Sequence, residues 1–118
     1  MQPLPPSMTT SILNDAANGF HAAAGQLGTT GAAQALDAAA RSAYQGIPSL
    51  LINTVRDSGS RELATALEAA AESAFALAKE MRTAPEGTDF SAHRDAVLGW
   101  ARLAADAAFL VEPSPFGL

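Results

Sequence analysis

The chain has no cysteine, few basic residues and no apolar run long enough to span a bilayer. Each of these features argues against a class of protein. Without cysteine there are no disulfides, no thiolate nucleophiles and no thiolate-bound zinc or iron–sulfur sites. Seven scattered basic residues against twelve acidic ones disfavour nucleic acid and anionic membrane surfaces as partners, because both require clustered positive charge. A membrane span needs an apolar run of about 18 residues, so we expect none.

The N-terminal sequence also lacks the basic region and the apolar region of a secretory signal. We therefore expect a cytoplasmic protein. The composition, rich in alanine and arginine with almost no lysine, is typical of GC-rich coding sequences and indicates a bacterial or phage origin.

Alanine is the residue that the chain has in excess, with 28 alanines in 118 residues. A chain of this length has room for one domain with a single core. Alanine has the highest helix propensity, whereas the β-branched residues that favour strands are few. The composition therefore predicts one acidic, soluble, all-helical domain with a thin and closely packed core.

Proline and glycine divide the chain into segments. Residues 1–9 hold three of the seven prolines and are predicted to form an extended arm, and residues 113–118 an extended tail. The single domain would occupy residues 10–112. Turn-forming clusters within it separate four helical segments, which predicts an all-α, up-and-down four-helix bundle.

Apolar residues recur at helical spacing in the first three segments. Helix 1 is predicted over about Ser11–Leu27, helix 2 from about Thr30, and helix 3 from Ser60. Pro48 interrupts helix 2, but its apolar spacing continues through Leu51 to Val55, so this helix is either kinked or split in two. Each stripe is expected to face the core: Leu13, Ala16, Ala17, Phe20, Ala24 and Leu27 in helix 1; Leu36, Ala40, Ala43 and Ile47 in helix 2; Leu63, Leu67, Ala70, Ala74, Leu77 and Met81 in helix 3.

Helix 4 is predicted to be apolar on two sides. The stripe expected to face the core is Ala96, Trp100, Leu103, Ala107 and Leu110, broadened by Val97, Ala104 and Val111. A second strip, Leu98, Ala101, Ala105 and Phe109, lies on the opposite side with Arg102 and Asp106 beside it. A helix with two apolar sides is usually buried on both. We therefore expect an interface formed by Leu98, Arg102, Ala105, Phe109 and the tail residue Phe116. The alternative is that Phe109 and Phe116 pack on each other and cover the second strip within the monomer.

No arrangement of residues in the sequence indicates catalysis or metal binding. The chain has neither the Glu-x-x-His pairs of di-iron bundles, nor the His-Glu-x-x-His zinc pattern, nor a Gly-x-Ser-x-Gly nucleophile motif. We predict no catalytic residue, no cofactor and no metal site. The leading interpretation is a non-enzymatic interaction module that forms a homodimer or higher oligomer and has another protein as a second type of partner.

One short run favours an alternative function in signalling. His21 is followed by Gly25 and then by Gly31-Ala32, a pattern that resembles the motif of histidine phosphotransfer domains, which are four-helix bundles of similar length. The resemblance implies that His21 would be phosphorylated and that Gly25 would leave room for a response regulator. A second alternative follows from composition, since alanine-rich amphipathic helices without cysteine resemble phasins. That resemblance implies a protein that coats an apolar surface.

Overall fold

The computed structural model describes residues 6–27, 30–53, 58–85 and 87–111. These ranges contain four α-helices and no strand: α1 (Pro6–Gly25), α2 (Thr30–Asn53), α3 (Ser58–Thr83) and α4 (Arg94–Leu110), the last preceded by a 3₁₀ turn (Ser91–His93). In the bundle, α1 packs between α2 and α4, and α2 packs between α1 and α3, while the contact between α3 and α4 is less extensive. The prediction of an all-α four-helix bundle is confirmed.

Two glycines bring α1 and α2 close together and define their antiparallel register. A Cβ atom on Gly46 would lie 2.6 Å from Cδ2 of Leu13, and one on Gly19 would lie 2.9 Å from Cβ of Ala39. Both distances are shorter than real Cβ contacts, so these positions have no space for a larger side chain. The two contacts show that α2 runs opposite to α1.

The N-terminal boundary of the domain differs from the prediction. Helix α1 begins at Pro6, so residues 6–9, predicted to be part of an extended arm, are helical. Proline is favourable in the first turn of a helix because its missing N–H would have no partner there. Thr9 is fully buried and extends the core stripe of α1 by one turn. Residues 1–5 of the predicted arm and the predicted tail, 113–118, lie outside the described residues.

Helix α2 passes through Pro48 as one continuous element, which resolves the alternative between one helix and two. Proline at this position removes the backbone N–H that would bond to the carbonyl of Tyr44. Beyond Pro48 the core position belongs to Leu50, which is fully buried, whereas Leu51 is exposed. The predicted continuation of the stripe through Leu51 is therefore wrong by one residue, and Val55 lies outside the described residues.

Helix α3 begins at Ser58, two residues before the predicted start, and its predicted core stripe is confirmed. Leu67, Ala70, Ala74 and Leu77 are buried, with Leu63 and Met81 packed partly against the core. Helix α1 likewise buries its predicted stripe, apart from Ala17, which is partly buried. It ends at Gly25, so the predicted stripe residue Leu27 lies in the turn beyond the helix and is partly buried. The largest fully buried side chains are few and alanines fill much of the remaining space, as the composition predicts: Phe20, Leu13, Leu36, Leu50, Leu67, Val97 and Thr9.

The buried face of α4 is shifted toward one side of the predicted face. Its buried residues are Val97, Ala101, Ala104, Ala107, Ala108 and Val111. Four of the predicted residues are therefore buried, whereas Trp100 and Leu103 are partly buried and Ala96 and Leu110 are exposed. Alanines occupy the centre of the contact because the helices approach closely there. The large side chains lie at its margin and reach across to the neighbouring helix.

A short polar connection links α3 to α4 and begins beside an ion pair. Arg82 near the end of α3 pairs with Asp37 on α2. Gly87 adopts a φ of 88°, a conformation that favours glycine over other residues. Oδ1 of Asp89 accepts a 2.9 Å hydrogen bond from the backbone N–H of Ser91, and this bond lowers the pKa of Asp89 below its usual value. The connection thereby directs the chain back along the bundle.

Candidate functional site

The exposed large apolar side chains of the described residues are four: Met8 is 51% exposed, Leu51 42%, Phe109 76% and Leu110 38%. They belong to three different helices, at the beginning of α1 and at the ends of α2 and α4. Single exposed apolar residues are common on protein surfaces, but a group of them marks a contact surface. We call these four residues the end patch.

The antiparallel packing places the end patch at one end of the bundle. Continuing the α1–α2 register from the contact between Leu13 and Gly46 brings Met8 to the level of Leu51. On the other side of α1, the ring centroids of Phe20 and Trp100 are 5.9 Å apart. Continuing the antiparallel register from that pair places Leu110 within about 3 Å of the level of Met8 along the bundle axis.

The exposure of Leu51 follows from the orientation of α2. Beyond Pro48 the buried position belongs to Leu50, so the adjacent Leu51 faces outward. Leu110 is the last residue of α4, and its level lies within about 3 Å of that of Met8. The exposed side chains of three helices therefore lie near the same end of the bundle.

The residues proposed from the sequence as an interface lie on the outer face of α4. Arg102, Ala105 and Phe109 are exposed, and Leu98 is partly buried against the core. Their spacings of four, three and four residues place them along one side of the helix. We call these four residues the α4 strip. Ala101, predicted as a member of the second apolar strip, is buried and belongs to the core. Phe116 lies outside the described residues.

No protein-family model, curated protein or solved structure matches this chain.

The α4 strip carries one charge of each sign at its margin. Arg102 and Asp106 are exposed and four residues apart on α4. Within the part of the chain that the structure describes, neither forms a salt bridge, in contrast to Arg82 and Asp37. Gly99, about 90° around the helix from the middle of the strip, is also open, since a Cβ atom built there would meet nothing within 4 Å. The strip is therefore sterically open, with apolar positions flanked by complementary charges.

His21 and Gly25, the residues of the phosphotransfer alternative, lie on an exposed part of α1. Both residues are exposed, and a Cβ atom on Gly25 would have no neighbour within 4 Å. The spacing of four residues places them on the same side of the helix. Helix α1 contains no lysine or arginine that could interact with a phosphoryl group. The position of His21 is thus sterically accessible but has no positive charge on its own helix.

A second polar contact lies between α2 and α3, away from the end patch. The rings of Tyr44 and Phe75 stack with centroids 5.8 Å apart, and the Tyr44 hydroxyl donates a 3.0 Å hydrogen bond to Oε1 of Glu72. Desolvation raises the pKa of Tyr44, and the hydrogen bond to Glu72 and the negative charges of Glu72 and Glu68 raise it further. The neutral phenol is therefore the form that this contact stabilises.

Among the described residues, no group of three His, Cys, Asp or Glu side chains is arranged to hold a metal ion. None of their helices is long and apolar enough to cross a membrane.

Met8, Leu51 and Leu110 are surface residues that the sequence does not predict. Met8 falls within the predicted arm, and Leu51 and Leu110 fall on predicted core stripes. The periodicity of one segment does not show which of two adjacent apolar positions a neighbouring helix covers. Leu50 and Leu51 leave this choice open, and only the packing of α2 against its neighbours decides it.

Proposed function

We propose that this protein is a non-enzymatic helical interaction module that self-associates through the exposed apolar surface of α4. The observation that carries the proposal is Phe109, an aromatic side chain that is 76% exposed in a folded helix. Aromatic residues are enriched at the energetic centres of protein interfaces. Burial of Phe109 against a partner would remove a large apolar area from water.

The core of the bundle supports the same proposal. Alanines fill much of the interior, so each buried position removes less apolar area from water than a leucine would. Small domains bury a low fraction of their surface, and association enlarges the buried area per chain. A second type of partner, another protein, would use the same surface. The proposal places the protein in the cytoplasm of a bacterium or phage-infected cell, where the absence of cysteine is no disadvantage.

The experiment is a measurement of solution mass by light scattering for the wild-type chain and for Phe109→Asp. The chain mass is 12.0 kDa. We expect a multiple of this mass for the wild type and a single copy for the variant, because a charge at a buried contact is costly. Helix content by circular dichroism should not change, because Phe109 is exposed within the monomer. Ala76→Asp is the matched control, since it places the same charge at an exposed position of α3.

A wild-type chain of one-copy mass at all concentrations would contradict the proposal. Loss of helix content in Phe109→Asp would show instead that this residue supports the fold. A second variant on the same face, Ala105→Glu, distinguishes the two cases, because its small exposed side chain contributes little to the monomer.

The accessibility of His21 supports a second candidate function, phosphotransfer. If the protein belongs to a phosphorelay, an acid-labile phosphoryl group should form at His21 on incubation with a phosphodonor such as phosphoramidate. The variant His21→Gln should remain unmodified, and His93→Gln should be modified like the wild type. No modification of the wild type would reject this candidate.

A further inference from the structure

The α4 strip is self-complementary when two copies of α4 run in opposite directions. Its four positions, Leu98, Arg102, Ala105 and Phe109, follow the spacing that helices use in antiparallel pairs. If a two-fold axis lies between the two helices, perpendicular to the plane of their axes and at the middle of the strip, position 98 of one copy faces position 109 of the other. Position 102 then faces position 105.

We propose that the self-association of this protein is an antiparallel, two-fold pairing of α4 with α4 of a second copy. In this pairing, the exposed ring of Phe109 packs on Leu98 of the other copy. Arg102 lies over the small side chain of Ala105 and reaches Asp106 of the other copy. The inference rests on the proposed function and adds the partner, the orientation and the contacts that define it.

Charge complementarity favours a second copy as the occupant. Arg102 in the strip and Asp106 beside it are separated by about one helical turn. Only an antiparallel arrangement of identical strips brings each base next to the acid of the other copy. The two-fold symmetry repeats the Arg102–Asp106 contact twice and the Phe109–Leu98 contact twice. An isologous interface therefore satisfies both charges, which have no salt-bridge partner among the described residues.

Steric access also favours this pairing. Ala105, near the middle of the strip, has a small and exposed side chain, so the backbone of a second helix can approach α4 closely there. The available length is about 26 Å, and a contact along one helix covers less than the ~800 Å² per partner typical of stable complexes. We therefore expect a dimer that dissociates on dilution, with the end patch as an optional extension of the contact.

A charge exchange tests the pairing directly. Arg102→Asp makes two acids face each other across the axis, and Asp106→Arg makes two bases face each other. Each variant alone should dimerise about ten-fold more weakly than the wild type, because two ion pairs are replaced by two like-charge contacts. An equimolar mixture of the two variants should recover dimerisation as a heterodimer, since each base again faces an acid.

The readout is native mass spectrometry combined with light scattering over a dilution series. The two variants differ in mass, so the heterodimer is distinguished from both homodimers. Arg41→Asp is the matched control, because it makes the same change on an exposed part of α2 and should leave dimerisation unchanged. All three changed positions are exposed in the monomer, and circular dichroism should show unaltered helix content.

The outcomes separate this inference from the proposed function. Weak homodimers and a recovered heterodimer support the antiparallel pairing. A wild-type dimer that Phe109→Asp dissociates but the charge exchange leaves unaffected would overturn the pairing and leave self-association standing. Dissociation by Leu51→Asp without any effect of the charge exchange would locate the contact at the end patch and also overturn the pairing. A monomeric wild type would overturn both proposals.

Discussion

The ring of Trp100 on α4 meets the ring of Phe20 on α1 edge to face, with centroids 5.9 Å apart and planes at 65°. This geometry is favourable because the positive edge of one ring approaches the negative face of the other. Phe20 is fully buried, whereas Trp100 lies partly exposed at the margin of the helix contact. The pair joins the short fourth helix to the centre of the core.

Phe20→Ala should therefore destabilise the bundle by about 3–5 kcal/mol, the range for loss of a buried aromatic side chain. Urea unfolding measures this change. The only tryptophan of the chain is in contact with Phe20, so the folded variant should also show an altered emission maximum. Wild-type stability together with unchanged emission would show that this pair does not join α1 and α4.

The core stripe of α3 gives a second prediction. Leu67 is fully buried, so Leu67→Ala should lower the free energy of unfolding by about 2–5 kcal/mol. Leu51→Ala removes the same atoms from a side chain that is 42% exposed and should cost about 1 kcal/mol or less. Both measurements should be made at the same protein concentration, because association stabilises the folded chain. Equal losses in the two variants would contradict the assignment of Leu51 to the surface.

The close approach of α1 and α2 predicts that Gly46 does not tolerate a side chain. Gly46→Ala places a methyl group 2.6 Å from Cδ2 and 2.8 Å from Cγ of the fully buried Leu13, so this side chain or the helices must shift. We expect a loss of about 1–3 kcal/mol, typical of overpacking, and a lower melting temperature. In the control Gly25→Ala the new methyl group meets no atom within 4 Å, and stability should be equal or slightly higher. A more stable Gly46→Ala protein would mean that the helices are further apart.

Tyr44 provides a pH-dependent prediction, and it is the only tyrosine of the chain. Ultraviolet absorbance of tyrosinate should report a pKa above the usual value of about 10. Because the folded state holds the proton more tightly than the unfolded state, the associated stability is present below about pH 10 and is lost as pH rises through the folded pKa. Glu72→Gln keeps a hydrogen-bond acceptor but removes the charge, so it should lower the pKa of Tyr44.

The control for this titration is Glu62→Gln, which removes an exposed charge almost three helical turns away on α3 and should have little effect. Equal pKa values in the wild type and in Glu72→Gln would contradict the contact between the Tyr44 hydroxyl and Glu72.

The fold could be predicted from the sequence because alanine content, turn-forming clusters and apolar periodicity all indicate four helices. The stripes of α1 and α3 followed from the same periodicity. The buried face of α4 could be predicted only in part, because weighting by side-chain size favours Trp100 and Leu103 as its centre. The helix contact instead selects small residues such as Ala101 and Ala108, and this selection depends on the neighbouring helix.

The candidate surface was predictable only in part. The spacing of Leu98, Ala105 and Phe109 identifies one side of α4 without knowledge of the other helices. The end patch depends on the relative lengths and register of three helices, which periodicity within one segment does not contain. Met8 illustrates the difference, since three nearby prolines favour an extended arm while Pro6 in fact begins a helix.

The most direct test of self-association through α4 is the solution mass of the wild-type chain and of Phe109→Asp over a concentration series. The proposal predicts that the wild-type mass rises from 12.0 kDa toward twice that value with concentration, while the variant stays at 12.0 kDa with the same helix content. A wild-type mass of 12.0 kDa at every concentration, or a variant that associates as the wild type does, would contradict it.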